Sequence, residues 1–332
     1  MKFVPQTILV YSGAEQVGDG IYKLPFLYHL RKHFPKARIT WVAGKGHTVY
    51  AGLLAPMVKG LLDEVIDCAE IGRSWNEMKG PRPLTGRSFD LVIETGRVFR
   101  TTMIVRRIAH KTFVSGAAGY LLSSLRPKDP AKWFKKPATV VGIMSELAEV
   151  VTGEPVPAVT DIRLDDETRK LADALLPPGP IYVGFTPGSH DRVKCWPLDR
   201  YIEAARQAQT LGATPVFILG PSEKDWVDTV RAALPGAVLP LQDAPAITPW
   251  LTIALGKHLK MAVVNDCGAA HLLAAANVPL VSLFGPTRAK KFAPATPKLT
   301  LIQAQQWGGK SMDLIPTAWV TEAMETMLKE SR

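Results

Sequence analysis

Short apolar runs alternate with longer amphipathic stretches along almost the whole chain. In the first half TILVYSG leads into GIYKLPFLYHLRKHFP, and ARITWVAG into HTVYAGLLAP. EVIDCAE and FDLVIETG follow, the latter leading into TTMIVRRIAH. The second half repeats the habit. IYVGFTPG precedes LDRYIEAARQAQTLG, TPVFILGP precedes EKDWVDTVRAAL, and MAVVND precedes GAAHLLAAANV, with PLVSLFGPT after it. Apolar runs bounded by glycine and proline read as buried strands, and the segments between them as helices. The alternation predicts βαβ units and parallel sheets, an α/β chain with two doubly wound domains. Proline and glycine break the pattern in VVTGEPVPAVTDIRLDDETR, residues 150–169. The expected domains are therefore 1–155 and 156–315. A final amphipathic helix over 316–332 carries Trp319, Val320, Ala323, Met324, Met327 and Leu328 at helical spacing.

Composition narrows the class. A chain of 332 residues, 47% hydrophobic and 21% charged, is globular and long enough for two domains. No apolar run reaches the roughly 18 residues of a membrane-spanning helix. The opening MKFVPQTILVYSG reads as a first buried strand, not a signal peptide. Cys68, Cys195 and Cys267 show no C-x-x-C spacing, which argues against a disulfide framework or a structural zinc site and favours a reducing cytoplasm. The net charge of +10 is uneven: residues 1–155 hold 22 Lys+Arg against 13 Asp+Glu, and the rest 18 against 17. A basic first half attracts an anionic partner: an acidic substrate, a membrane surface or a nucleic acid.

Ligands of open parallel sheets sit beyond the carboxyl ends of the strands. The loops there carry the candidate chemistry. TPGSHDRVKCWP offers the permissive Gly188, the Ser189 hydroxyl and the Lys194 cation, a set suited to phosphate, although a helix-capping surface loop reads equally well. NDCGAAHLLAAA places Asp266 and Gly268 at the mouth of a helix, where free N–H groups meet anions and a carboxylate meets sugar hydroxyls. His271 lies one turn in, either facing that mouth or packed as a core histidine. GPT at 285–287 adds the Thr287 hydroxyl. Glu223 in GPSEKD could grip ribose hydroxyls or complement a helix dipole. In the first half, SGAEQVGDGIYKLP puts Asp19 at a helix entrance, as a general base or as a plain cap.

Arg97, Arg100, Arg106 and Arg107 follow the FDLVIETG strand, and some are expected to line the first domain's ligand side. RPKDPAKWFKKP, 126–137, mixes five cations with Trp133 and Phe134, a composition suited to an anionic membrane interface or to a solvated basic loop. No nucleic-acid-binding motif is present.

Taken end to end, these segments resemble glycosyltransferase family 9, the lipopolysaccharide heptosyltransferases. GDGIYKLPFLYHLRKHFPKARITWVAG is similar to the family's G-D opening and following strand. FDLVIETGRVFRTTMIVRRIAH resembles its D-L-V-I strand and helix. PGS…KCWP is similar to its G-S…K-x-W-P segment, and NDCGAAHLLAAANVPLVSLFGPT to its D-[ST]-G-x-x-H…L-F-G-P-T signature. The last pair, at this spacing, is the specific part. The resemblance implies a GT-B architecture, two Rossmann-like domains facing a central cleft, with the C-terminal helix packing back on the N-terminal domain. It implies inverting transfer of heptose from ADP-heptose to an anionic glycolipid, the lipopolysaccharide core, without metal or other cofactor. The setting it implies is the cytoplasm, peripheral to the inner membrane.

Carried over residue by residue, Asp19 matches the family's proposed base. Ser189 and Lys194 match the diphosphate contacts, and Glu223 the ribose-binding acid. Asp266, Gly268 and His271 match the donor-sugar motif, and Thr287 the phosphate-side turn. Arg97 and Arg100 fall on the acceptor side. The chain departs from the family at Gly20, where an apolar residue is commoner, and at Cys267, where Ser or Thr is usual. Arg288 stands for Asp, Phe292 for Trp and Ser311 for Cys. Competing readings are a GT-B nucleotide-sugar epimerase and a non-catalytic nucleotide-sugar-binding protein. Nucleic-acid binding ranks last.

Overall fold

The computed structural model describes residues 4–157 and 161–330. Part of the expected linker (158–160) and the last two residues of the expected terminal helix lie outside the described residues, as do residues 1–3. The chain divides into two compact units, Met1–Pro157 and Ala158–Arg332.

The first unit is built on a five-stranded parallel sheet. Its strands are β1 (Thr7–Ser12), β2 (Arg38–Ala43), β3 (Glu64–Ile66), β4 (Ser88–Glu94) and β5 (Ala109–Ser115), in the order β3-β2-β1-β4-β5. Ile8, Leu9 and Val10 of the central strand are wholly buried, as a strand covered on both faces requires. The order reverses between β1 and β4, so the loop leaving β1 opens at the switch point where such sheets bind ligands. That loop enters the Val17–His33 helix, whose last turn carries Arg31 and Lys32, cations that complement the negative end of its dipole. Its Leu24, Leu27 and Leu30 are buried, and His29 Nε2 reaches Thr152 Oγ1 at 2.9 Å, on the neighbouring Val140–Thr152 helix.

The second unit repeats the plan with β6 (Ile181–Thr186), β7 (Ala213–Phe217), β8 (Leu259–Asn265), β9 (Leu280–Phe284) and β10 (Leu299–Gln303), ordered β10-β9-β8-β6-β7 and all parallel. Its reversal falls between β6 and β8. The loops after those two strands, 187–197 and 266–267, therefore share the switch point. One face of the sheet packs Tyr182, Val216, Ala262 and Val264 against helices. On the other, Val320, Met324, Met327 and Leu328 of the Thr317–Glu330 helix join Met261, Val263, Val281 and Leu283 in one core. Each such burial is worth on the order of 1.5–3 kcal/mol relative to exposure. The terminal helix thus covers the second unit's own sheet.

Two edge strands depart from the sequence pattern. The segment TTMIVRRIAH reads as one helix, yet the helix stops at Val105 and β5 begins at Ala109. LTLIQ, not assigned from the sequence, forms β10 beside β9.

Candidate active site

In the second unit Asn265, at the end of β8, is fully buried, and both ends of its amide are hydrogen-bonded. Its Nδ2 donates to the Pro187 carbonyl at 2.6 Å. Its Oδ1 accepts from the Trp196 N–H at 3.2 Å and the Tyr201 hydroxyl at 2.9 Å. Trp196, also fully buried, donates its indole N–H to the Ile315 carbonyl at 2.9 Å. The Thr186–Trp196 loop is therefore pinned at both ends by one amide. A buried amide bonded at both its oxygen and its nitrogen fixes its neighbours because breaking one of those bonds strands a polar group. The sequence reading passes over Asn265 as the opening letter of its motif; a polar residue closing an apolar strand is the signal that marks it.

The pinned loop brings the predicted residues together. Lys194 Nζ lies 3.2 Å from Asp266 Oδ2, and Thr287 Oγ1 donates to the same oxygen at 2.7 Å. Asp266 is buried; Lys194 is partly exposed. Ser189 is also buried. Glu223 sits in the short turn Pro221–Trp226, where its Oε2 accepts from the Gly220 N–H at 2.9 Å. It packs so closely on Gly188 that a Cβ there would fall 2.3 Å from its carboxyl carbon. That contact explains a glycine at 188. Arg192, not singled out from the sequence, ties the two loops: it donates to the Ser222 carbonyl at 2.6 Å, pairs with Asp225 at 3.0 Å, and stacks over the Trp226 ring at 4.1 Å.

The helix after β8 runs Gly268–Ala275 and takes Cys267, not Asp266, as its N-cap. The Cys267 thiol faces the Ala269 and Ala270 N–H groups, while Gly268 is exposed and nothing stands within 4 Å of where its side chain would project. The helix N-terminus is thus approachable at Gly268, beside Asp266. Burial pushes the Cys267 thiol up to about 11, so it stays a neutral thiol. His271 is partly exposed in the first turn. Gly285 admits the close approach of Met312 and the Lys310 carbonyl, whose nearest atoms would lie 2.6 and 2.7 Å from a Cβ.

In the first unit Asp19 occupies the third position of its helix. Its Oδ2 accepts from the Gln16 N–H at 3.3 Å and its Oδ1 from the Tyr22 hydroxyl at 2.6 Å. Burial, reinforced by Asp19, holds the Tyr22 phenol above its ordinary range, so Tyr22 remains a donor. Beneath it Lys23 is buried against Glu15 (2.8 Å) and Ser12 (2.9 Å). The departure at Gly20 has a packing cause: a Cβ would meet Val49 and Leu54 side chains at 2.6 and 2.7 Å, and the Tyr50 hydroxyl donates to the Gly20 carbonyl.

Arg97 does not lie as the sequence suggested. Its side chain is buried, paired with Glu146 at 3.1 Å and stacked over Tyr120, so it is committed to packing within the unit. Beside it Glu94 is fully buried, accepting from Ser115, Thr102 and the Gly96 N–H; burial raises its pKa. Arg100 differs. It is partly exposed, and its Nε finds no hydrogen-bond partner among the described residues.

At the second unit's switch point a cation, hydroxyls and a buried acid meet beside a helix N-terminus, a set suited to an anionic ligand. The family model for glycosyltransferase family 9 (heptosyltransferase) matches residues 79–314. The chain belongs to that family and is a glycosyltransferase of the GT-B fold class. It is 28% identical over 290 residues to lipopolysaccharide heptosyltransferase 1 of Pseudomonas aeruginosa, covering 82% of this chain and 76% of that one. In fold it is similar to a family 9 glycosyltransferase from Veillonella parvula (TM-score 0.68, 20% identity, 99% of both chains). It is also similar to the E. coli heptosyltransferase WaaC with ADP (TM-score 0.66, 18% identity, 97% of this chain and 99% of that one).

Proposed function

We propose that the protein transfers a heptose from ADP-heptose to an anionic lipopolysaccharide-core acceptor, with inversion at the anomeric carbon. The observation that carries this reading is the meeting of Lys194 and Thr287 on Asp266 Oδ2, beside the N-terminus of the Gly268–Ala275 helix. A diphosphate needs a cation, hydroxyl donors and N–H groups, and all are present there. Glu223, held by the Gly220 N–H, is the candidate for the ribose hydroxyls, and Asp266 with His271 for the donor sugar. Curated relatives named as lipopolysaccharide or lipooligosaccharide heptosyltransferases support heptose as the transferred sugar.

In the proposed reaction Asp19 takes the proton of the acceptor hydroxyl while that oxygen bonds to the anomeric carbon. The bond from that carbon to the phosphate oxygen breaks, and its electron pair leaves with ADP. Lys194, Ser189, Thr287 and the helix N-terminus stabilise the charge that develops on the leaving diphosphate, which is where electrostatic help lowers the barrier most. They supply the neutralisation a divalent cation would otherwise give, so turnover should persist with Mg²⁺ and Mn²⁺ withheld.

Arg100 is the candidate for an acceptor phosphate. The basic segment offers a membrane contact: Phe134 is 82% exposed, with Lys132, Lys135 and Lys136 around it, and Arg126 stacks on Trp133 at 5.0 Å. No described helix is long and apolar enough to cross a membrane. A peripheral position at the cytoplasmic face fits both facts.

The testing experiment is calorimetric titration with ADP, UDP and GDP, followed by transfer from ADP-heptose and NMR of the product's anomeric configuration. Selective ADP binding with an inverted product supports the reading. Preference for UDP or GDP, or a retained configuration, overturns it.

A further inference from the structure

We propose that His47, Asp67 and Cys68 form a binding site for a thiophilic divalent metal ion, for which zinc is the best chemical match. His47 Nδ1 lies 2.8 Å from Asp67 Oδ2 and 3.2 Å from Cys68 Sγ, and all three ligand atoms fall within 4.8 Å of one another. Around a tetrahedral zinc, with bonds of about 2.0–2.3 Å, ligand atoms stand roughly 3.3–3.7 Å apart. Small side-chain movements reach that spacing. A single imidazole nitrogen can serve a carboxylate and a sulfur together only by sharing one hydrogen. A cation among them engages all three lone pairs.

The surroundings hold the ligands in place. Asp67's second oxygen accepts from the Thr48 N–H at 2.7 Å, the kind of outer bond that orients a metal-binding carboxylate. Cys68 adopts a left-handed backbone (φ 47°) and Glu70 another (φ 57°), conformations that cost energy outside glycine. The nearby cation Arg73 is paired with Glu70 at 3.0 Å. His47 is well exposed, leaving room for water as a fourth ligand.

A sulfur, a nitrogen and an oxygen donor select zinc or a similar ion over magnesium or calcium, which take oxygen ligands. The site escapes sequence inspection because His47 follows β2 while Asp67 and Cys68 follow β3, with no compact motif to join them. It belongs to the carboxyl edge of the first sheet: the His47 carbonyl accepts from the Glu15 N–H at 3.1 Å and Lys45 N–H donates to the Gly13 carbonyl at 2.7 Å. A bound ion would therefore clamp the loop after β1. The proposal stands apart from the donor-site reading, whose residues lie in the second unit.

The test is titration of the purified full-length protein with Co²⁺, read by thiolate-to-cobalt charge-transfer and visible ligand-field absorption. The expected result is one equivalent of Co²⁺, displaced by Zn²⁺. The charge-transfer band should vanish in Cys68→Ser, persist in Cys195→Ser, and need at least tenfold more Co²⁺ in His47→Ala. Zn²⁺ should also protect Cys68 of the unmodified protein from alkylation, mapped by mass spectrometry, which needs no variant to fold. Absence of the band, its persistence in Cys68→Ser, or unprotected Cys68 at saturating Zn²⁺ overturns the site.

Discussion

Lys194 Nζ and Thr287 Oγ1 converge on a single oxygen, Asp266 Oδ2, at 3.2 and 2.7 Å. The Lys194 cation is thus held against a buried acid. On the proposed function, an arriving diphosphate would offer Lys194 a stronger partner and leave Asp266 to sugar hydroxyls. Replacing Lys194→Met removes a charge-assisted contact worth about 1.5–3 kcal/mol, so ADP should bind some 10–100-fold more weakly. Asp266→Asn should weaken ADP-heptose more than ADP. Calorimetry on both ligands checks the pair; equal losses for ADP and ADP-heptose in Asp266→Asn would remove the acid from the sugar side.

Asp19 is expected to act on the acceptor and not on the nucleotide. Asp19→Asn should lower kcat by about 10²–10⁴-fold, the usual worth of a general base, while the ADP Kd stays unchanged. Tyr22→Phe strips the 2.6 Å hydrogen bond that orients the carboxylate and should lower kcat less, again without touching ADP binding. A changed ADP Kd in Asp19→Asn, with the fold intact, would give this residue another role.

Much of this arrangement is legible in the chain. The short continuous apolar runs of β1, β4, β6 and β8, bounded by glycine and proline, read as strands covered on both faces, and their order of appearance with helices between them yields parallel sheets. Asp266, Lys194 and Thr287 are readable because each follows such a run. Edge strands are harder. β5 and β10 are half-exposed, so AHKTFVS and LTLIQ lack an unbroken apolar signature. Partner choice is hardest: nothing local distinguishes Arg97, which turns inward to Glu146 across 49 residues, from Arg100, which does not. The His47 cluster fails for the same reason, since contacts between loops have no period.

Cys267 caps the Gly268–Ala275 helix with a thiol, a weak acceptor, facing the Ala269 and Ala270 N–H groups and the buried Thr186 hydroxyl. Cys267→Ser supplies an N-cap hydroxyl and should stabilise the protein by about 1 kcal/mol in urea unfolding. With its thiol held at about 11, Cys267 should also resist alkylation at pH 8 in the native protein and react once unfolded.

Asp90 ties the chain's first described segment to the sheet. Its Oδ2 accepts from the Gln6 and Thr7 N–H groups at 2.8 and 3.0 Å, and Lys111 pairs with its Oδ1 at 2.8 Å. The Lys111 hydrogen bond leads in holding the carboxyl down at about 2. A folded-state pKa below the unfolded one, about 3.9, gives stability that is complete above the unfolded value and lost as pH falls through the folded one. Asp90→Asn should therefore cost about 1–2 kcal/mol at pH 7 after screening by solvent, and the gap should close between roughly pH 4 and pH 2. Urea melts across that window check it.

The most direct measurement is the rate of ADP release from ADP-heptose, with and without an anionic inner-core lipid acceptor, by the unmodified protein and by Asp19→Asn. Release that requires the acceptor, with heptose recovered on it and the rate collapsed in Asp19→Asn, is the expected result. Conversion of the nucleotide-sugar without acceptor, or no turnover of ADP-heptose while a UDP- or GDP-sugar is used, would contradict it.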